Sequence, residues 1–448
     1  MRKRVLAALT AAAVLLGAGT VPAAAKGLPK ETAQVKDAGQ ELEFSGEYGI
    51  LYKKQGDSRI FCDPAGKAFP ELAFAAVGVQ TEGAVELKRQ GKETPESCIV
   101  RNDGTVLVPW ALMVVKEKND RFLEITFADE QTDNKDEAMM YLTASMFTIS
   151  PGEDDVLYKG HQQLLDLKTG KLLDAFVATN VRQSFDPCGD SYRVYDGSSW
   201  KIYAADGTVL AEDASGIGVC GNYYYSYDHS GENRKLVVYD SALKQVAESE
   251  QASSLLTGGL FSFKGDNDLQ GVLSLDGKEL VPAVSEYTPR VMSGGLIQTA
   301  KKTGDKTCYG LYDAGGKQVL DMKYETIGDM NEGYIYAKEG DQKYLLLDPK
   351  GRVISDSMTS YPQLSNKRDD GKAYLNLATG QYIDFGEKAR VTHIGPGIIS
   401  VCDGDTQKYG VWDLKTGEQI LKYEWDYVAS AYGSIYALQG DTWHVFPY

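Results

Sequence analysis

The sequence predicts an all-β, propeller-like array of about twelve short antiparallel units, each of about 35 residues. Three observations carry that reading. A Gly-led alternating strand recurs at near-constant spacing. A hairpin turn built on Asp and Gly recurs between those strands. No long amphipathic helix pattern interrupts either one. Composition agrees, since 47 Gly and 28 Tyr in 448 residues suit many tight turns joining short strands. With 43% hydrophobic and 25% charged residues the chain is globular, neither disordered nor a polytopic membrane protein.

The first residues follow a different rule. Arg2, Lys3 and Arg4 form a positive region, Val5 to Gly19 an apolar stretch, and Ala23-Ala24-Ala25 a small-residue cleavage site before Lys26. This is the layout of a secretory signal peptide over 1–25. Its apolar core of about 15 residues is shorter than the roughly 20 that cross a bilayer. No Cys follows the small residues, which argues against a lipoprotein anchor. Residues 26–448 are expected to be an exported repeat domain without a membrane span, extracellular or held at the cell surface. Losing Arg2, Lys3 and Arg4 lowers the basic count from 47 to 44 against 63 acidic residues, a net charge of -19. Such a field repels nucleic acid and anionic lipid and tolerates cations or basic partners.

The hairpin turn is clearest in Leu164-Leu165-Asp166-Leu167-Lys168-Thr169-Gly170-Lys171 and Val411-Trp412-Asp413-Leu414-Lys415-Thr416-Gly417-Glu418. Shorter copies centre on Asp63, Asp103, Asp206, Asp276, Asp313, Asp348 and Asn376, and Tyr239-Asp240 opens a copy without the Gly. The Asp side chain can accept from the turn's own N–H groups while Gly takes the positive φ. A residue repeated in every hairpin reads as structural, not catalytic.

The Gly-led strands begin at Gly189, Gly221, Gly259, Gly295 and Gly333, spaced 32, 38, 36 and 38 residues apart, and at Gly397 and Gly433, spaced 36. A degenerate copy is expected near Leu364, and earlier strands near Tyr48, Ala84, Phe122 and Val156. In the unit from Gly333 the expected strands are 334–338, 343–348 and 352–355, with a weaker one near Tyr361. The acidic run from Asp129-Glu130 to Asp136-Glu137 reads as a solvated insertion. Trp443 to Phe446 looks like the second strand of an incomplete last unit, and Glu41-Leu42-Glu43-Phe44 like the outer strand that completes it. Pairing them would close the ring and remove exposed sheet edges. One large propeller, two smaller ones or a β-solenoid all fit the period, and no Pro/Ser linker marks an internal boundary.

The segment Tyr309-Gly310-Leu311-Tyr312-Asp313 with its Gly315-Gly316-Lys317 turn and following Lys323-Tyr324-Glu325-Thr326-Ile327 resembles the WG-repeat family. So does Lys408-Tyr409-Gly410-Val411-Trp412-Asp413. Tyr stands where that family has Trp. The resemblance covers about 271–355 and 408–448. The Asp-Leu-Lys-Thr-Gly-Lys turn is also similar to quinoprotein-type propeller repeats. The resemblance implies a binding or scaffold module and carries over no catalytic residue.

Six Cys in an exported chain permit disulfides. Cys188-Gly189 and Cys220-Gly221 occupy equivalent positions in neighbouring units, so a Cys188–Cys220 bridge is expected, with buried thiols as the alternative. The four His are scattered without metal-ligand spacing, and there is no nucleophile elbow or phosphate loop. No metal, cofactor or catalytic residue is assigned. Asp266-Asn267-Asp268 and Asp403-Gly404-Asp405 offer oxygens to calcium but lack EF-hand spacing, so plain turns are expected. Alternation puts Tyr223, Tyr225 and Tyr227 on one face of a strand, where they either pack between units or bind a ligand.

These features point to a non-enzymatic module that binds a protein or glycan. The alternatives are a propeller glycoside hydrolase or lyase using channel-mouth carboxylates, and a structural envelope component. Converging acids would favour the enzyme, and an aromatic patch would favour binding.

Overall fold

The computed structural model describes residues 29–448, leaving out 38–41, 46–48, 57, 91–94, 134–139, 143–146, 149–155, 175–183, 196–197, 231–233, 331–332, 341–342, 359–372 and 396. The expected signal peptide, the degenerate copy at Leu364 and the outer strand near Tyr361 lie outside the described residues. Within them the chain is all-β and forms eleven sheets, numbered here along the chain. Sheets 1 to 5 span 42–74, 76–111, 113–172, 184–211 and 217–249. Sheets 6 to 10 span 252–285, 290–324, 326–358, 373–384 and 390–425. Sheet 11 joins 427–447 to the strand Ala33–Lys36.

Nine sheets have four strands, eight of them in simple sequence order and the ninth, sheet 11, completed by the N-terminal strand Ala33–Lys36. In sheet 4, Ser184–Cys188, Ser191–Tyr195, Trp200–Ala204 and Val209–Ala211 pair antiparallel, each with the next. Stacked solenoid coils pair in parallel instead, so the solenoid alternative falls. First strands lie against each other between sheets 2 and 3, 4 and 5, 10 and 11, and 11 and 1, which turns that edge toward the ring axis there.

Burial explains why the middle strands read as near-continuous apolar runs. Second and third strands are covered on both faces, so successive residues serve two interfaces. Leu51 packs toward sheet 11 while Ile50 and Tyr52 pack toward sheet 2. Eleven hydrophobic clusters result, and each bridges two consecutive sheets. One of them joins Tyr436 and Trp443 of sheet 11 to Leu42 and Leu51 of sheet 1. The circuit is therefore one closed ring.

The count is eleven rather than about twelve because two expected units share a sheet. The strand Val156–Asp166 pairs directly with Phe122–Thr132 in sheet 3. The short strands Met140–Leu142 and Phe147–Thr148 add to the distal end of that hairpin. The ring closes at its termini, but with other strands. Leu42–Ser45 is the inner strand of sheet 1, and Thr442–Pro447 is the third strand of sheet 11. The outer strand is Ala33–Lys36, with Val35 opposite Trp443. The frame slipped because each sheet begins one strand before its Gly-led strand, as Tyr427–Ala431 precedes Gly433.

Candidate functional site

Both recurring turns hold structure. Asp313 Oδ1 accepts from Gly315 N and Lys317 N at 2.9 Å each, and Asp63 does the same for Ala65 and Lys67. In the copy without Gly, Leu243 takes the left-handed position at φ 59°. The two calcium-like clusters are similarly engaged. Asp268 pairs with Lys264 at 2.6 Å, and Asp405 with Lys388 at 2.5 Å. Asp403 accepts from Asp405 N and Thr406 N in its own turn. Among the described residues no group of three acid, His or Cys side chains converges to hold a metal.

Tyr223, Tyr225 and Tyr227 lie on the strand Tyr223–Asp228 and pack against the cluster between sheets 5 and 6. Tyr225 rests on Gly218, where a Cβ would come within 2.4 Å of its ring. Tyr227 is capped by Arg234, whose guanidinium sits 4.1 Å from the ring centre. All three are half-buried, so they pack against that cluster while part of each ring stays open to solvent.

Cys188 and Cys220 are unbridged thiols. In a ring of repeats, equivalent side chains point the same way around the axis. Cys188 packs between sheets 4 and 5 against Tyr224, whereas Cys220 packs between sheets 5 and 6 and donates to Leu255 O at 3.7 Å. Sheet 5 separates them. Burial pushes the Cys188 thiol up to about 12.

A cleft of about 640 Å³ lies where the ring closes. Strand ends and turns from sheets 11, 1, 2 and 3 line it, including Gln80, Glu82, Glu117, Asp120, Ser430 and Tyr432. Each wall has a local cause. Thr81 closes its turn by accepting from Ala84 N at 3.1 Å, which leaves Glu82 exposed at the tip. Asn102 Nδ2 donates to Glu82 O at 3.2 Å and ties that turn to the next. Asn119 Oδ1 accepts from Arg121 N and Phe122 N, shaping the turn that presents Asp120. Tyr432 holds a left-handed φ of 51°. Its hydroxyl crosses the seam, donating to Cys62 O at 2.6 Å and accepting from Leu51 N at 3.3 Å. Burial drives its pKa upward, so it stays a phenol.

Two nearby basic side chains, Lys118 and Arg121, are committed elsewhere, while exposed Lys116 alternates to the opposite side of its strand from Glu117. Lys118 pairs with Glu124 at 3.1 Å. Arg121 makes a two-point contact with buried Asp166 at 2.9 and 3.0 Å and also pairs with Asp190. Among the described residues none of Glu82, Glu117 and Asp120 has a cation partner, and no Lys, Arg or His lines the cleft. The Gln80 side-chain nitrogen is buried without a hydrogen-bond partner.

A second cleft of about 330 Å³ shares Ser430 and is walled by inner strands of sheets 10, 11 and 1. Phe44, Tyr409 and Tyr427 line it. Tyr427 is 46% exposed and meets Tyr409 edge-on at 5.4 Å. Sequence reasoning missed both clefts, since no local motif marks them. The positional signal was the terminal pairing that closes the ring.

The sequence matches no family model and no curated protein. Among solved structures it is similar to a eukaryotic initiation factor, at 8% identity and a TM-score of 0.38 over 92% of this chain and 98% of that one. It is also similar to an acylaminoacyl peptidase of Pyrococcus horikoshii, at 13% identity and a TM-score of 0.27 over 67% of this chain and 59% of that one. The tricorn protease gives 12% identity and a TM-score of 0.26, over 91% of this chain and 55% of that chain.

Proposed function

We propose that this chain is an exported, non-enzymatic binding ring of WG-type repeats, with its ligand seat in the cleft at the closure seam. One observation carries the reading: a cleft of about 640 Å³ and an aromatic-walled one adjoin at Ser430. Concave sites with a few convergent polar groups are where ligands bind. At the seam a polar mouth and exposed aromatic rings adjoin, and that pairing suits a protein segment better than a small apolar molecule. Export follows from the leader pattern over 1–25, and the mature chain would begin at Lys26.

A second reading has one observation of its own. Glu82, Glu117 and Asp120 line the same mouth, and a glycoside hydrolase needs two carboxyl groups flanking a scissile bond. A single experiment separates the two. Purified mature protein is screened on peptide and glycan arrays, with released reducing ends assayed in the same wells. The binding reading expects retention without release, lost in Asn102→Trp and in Ser430→Tyr, which fill the cleft from opposite walls. Retention unchanged in both folded variants would remove the seat from the seam. Reducing-end release would replace the binding module with the hydrolase.

A further inference from the structure

We infer that the aromatic cleft beside the seam takes a proline-rich peptide in the extended polyproline conformation, its rings against Tyr427 and Tyr409 and a backbone carbonyl at the Ser400 hydroxyl. The inference rests on the reading of the seam as the ligand seat and names the class of ligand.

The walls are the first ground. The cleft lies between sheets 10 and 11, and Phe44 of sheet 1 completes it. Tyr427 is open to solvent on one side, while Tyr409 at 5.4 Å and Trp443 at 6.1 Å meet its ring edge-on. A ring held between two others is a fixed apolar surface, so little ordering is needed when a ligand covers it. Among the described residues no Asp, Glu, Lys or Arg lines the cleft, and His393 is its one imidazole. The charged residues next to the aromatic ones are paired, Lys408 with Asp426 at 2.6 Å and Glu43 with Lys54 at 2.8 Å. Arg390, on the strand that carries Thr392, donates to Cys402 Sγ at 3.1 Å and to Gln407 Oε1 at 2.9 Å. Such walls suit an uncharged ligand.

Hydrogen bonding is the second ground. Ser400 lies on the strand Ile398–Cys402 and alternates with Ile398, which packs toward sheet 11, so its side chain faces the same way. Thr392 stands directly opposite it on the neighbouring strand. Ser400 is only 3% exposed, lines the cleft, and makes no side-chain hydrogen bond among the described residues. Its hydroxyl is not sealed from the surface, unlike that of Thr299 in sheet 7. A nearly buried donor without an acceptor favours a ligand that brings one. A polyproline helix has no internal hydrogen bonds, so its carbonyls seek donors while its rings seek aromatic walls. A pyranose brings hydroxyl groups that donate as well as accept, and no carboxylate or amide side chain lines the cleft to receive them.

The test uses the full mature chain and fluorescein-labelled decaproline, followed by anisotropy at low and high salt. A labelled peptide of alternating Gly and Ser, equal in length, is the composition control. The expected result is that decaproline binds, the control peptide does not, and salt changes little. Tyr427→Ala should weaken binding about tenfold, and Ser400→Ala, which removes one hydroxyl, about threefold. Ser400→Ala carries the test if Tyr427→Ala fails to fold. Tyr287→Ala, which removes an equally exposed ring from a cleft beside sheet 7, should change nothing. Equal weakening in Tyr287→Ala and Tyr427→Ala would mean that decaproline coats any exposed ring, and would overturn the inference. Binding that collapses with salt, or no binding at all, would overturn it as well. If Ser430→Tyr blocks a glycan or another peptide while decaproline is ignored, the seat stands and the proline-rich ligand falls. If Ser430→Tyr and Asn102→Trp block nothing that binds, the seat itself falls.

Discussion

Arg121 and Asp166 show how one ion pair locks a junction. Asp166 is fully buried at a third-to-fourth-strand turn of sheet 3, and Arg121 reaches it from the first-to-second-strand turn of the same sheet. Desolvation alone would raise the Asp166 pKa. The Arg121 hydrogen bonds and charge overcome it, with help from Lys168 N and Thr169, and the net shift is downward. Arg121→Ala leaves the carboxylate buried with only those two partners, and we expect a loss of about 3 kcal/mol. The pH dependence has a definite sign. A depressed carboxyl pKa stabilises the fold fully above the unfolded value of about 3.9, and that stabilisation is lost as pH falls through the lower folded value. Urea midpoints of wild type and variant should therefore differ most above pH 4 and converge below it. A gap that stays constant into acid would show that the pair contributes nothing.

At the scale of the strand and turn, Gly49 decides how closely sheets 1 and 11 approach. It holds φ +58°, and a Cβ there would stand 1.9 Å from Ser430 O. Gly277 holds φ +82° in a hairpin turn with nothing within 4 Å of the added atom. Gly49→Ala should cost about 2–4 kcal/mol and Gly277→Ala about 1 kcal/mol, because only the first adds a backbone clash to the left-handed strain. Similar thermal midpoints for the two would mean that the seam tolerates widening. Such turns were legible in the sequence because their chemistry is local: Asp313 and Gly316 meet within one hairpin. The inner strands were less so. Tyr427–Ala431 carries no turn signal of its own, so its sheet was framed one strand late. Val156–Asp166 looked like a new unit because it begins about one period after Phe122, although its pairing is with the preceding strand. The seat was illegible for a related reason. Glu82, Asp120 and Tyr432 are distant in sequence and meet only after the ring has closed. Equivalence of Cys188 and Cys220 was visible, but not that equivalent side chains in a ring face different neighbours.

Closure is a property of the whole molecule, and it rests on few residues. Ala33–Lys36 covers the edge of Thr442–Pro447, and Val35 enters the cluster that joins sheets 11 and 1. Asp37 follows, buried, and its carboxylate accepts from Leu42 N at 2.9 Å and from Trp443 Nε1 at 3.4 Å. Tyr436 adds a bond to Pro64 O at 3.0 Å. An open array of eleven sheets would have two ends, each exposing an apolar face and free to fray. The closed ring has none, so the seam should be as protected as any other interface. Val35→Asp places a charge in that cluster and should undo the closure without touching the other ten. Hydrogen exchange is the measurement. Amides of Tyr436 and Leu438 in sheet 11 and of Leu51 in sheet 1 should lose protection first. Those of Leu236 and Val238 in sheet 5 and of Leu311 in sheet 7 should keep theirs. Because the seat is assembled by the same closure, peptide binding should be lost in step with seam protection. Uniform loss around the ring would show a single cooperative unit, in which closure confers no local stability. Unchanged exchange at the seam would show that sheets 11 and 1 hold together through their inner strands alone, with Ala33–Lys36 as a cover rather than a clasp.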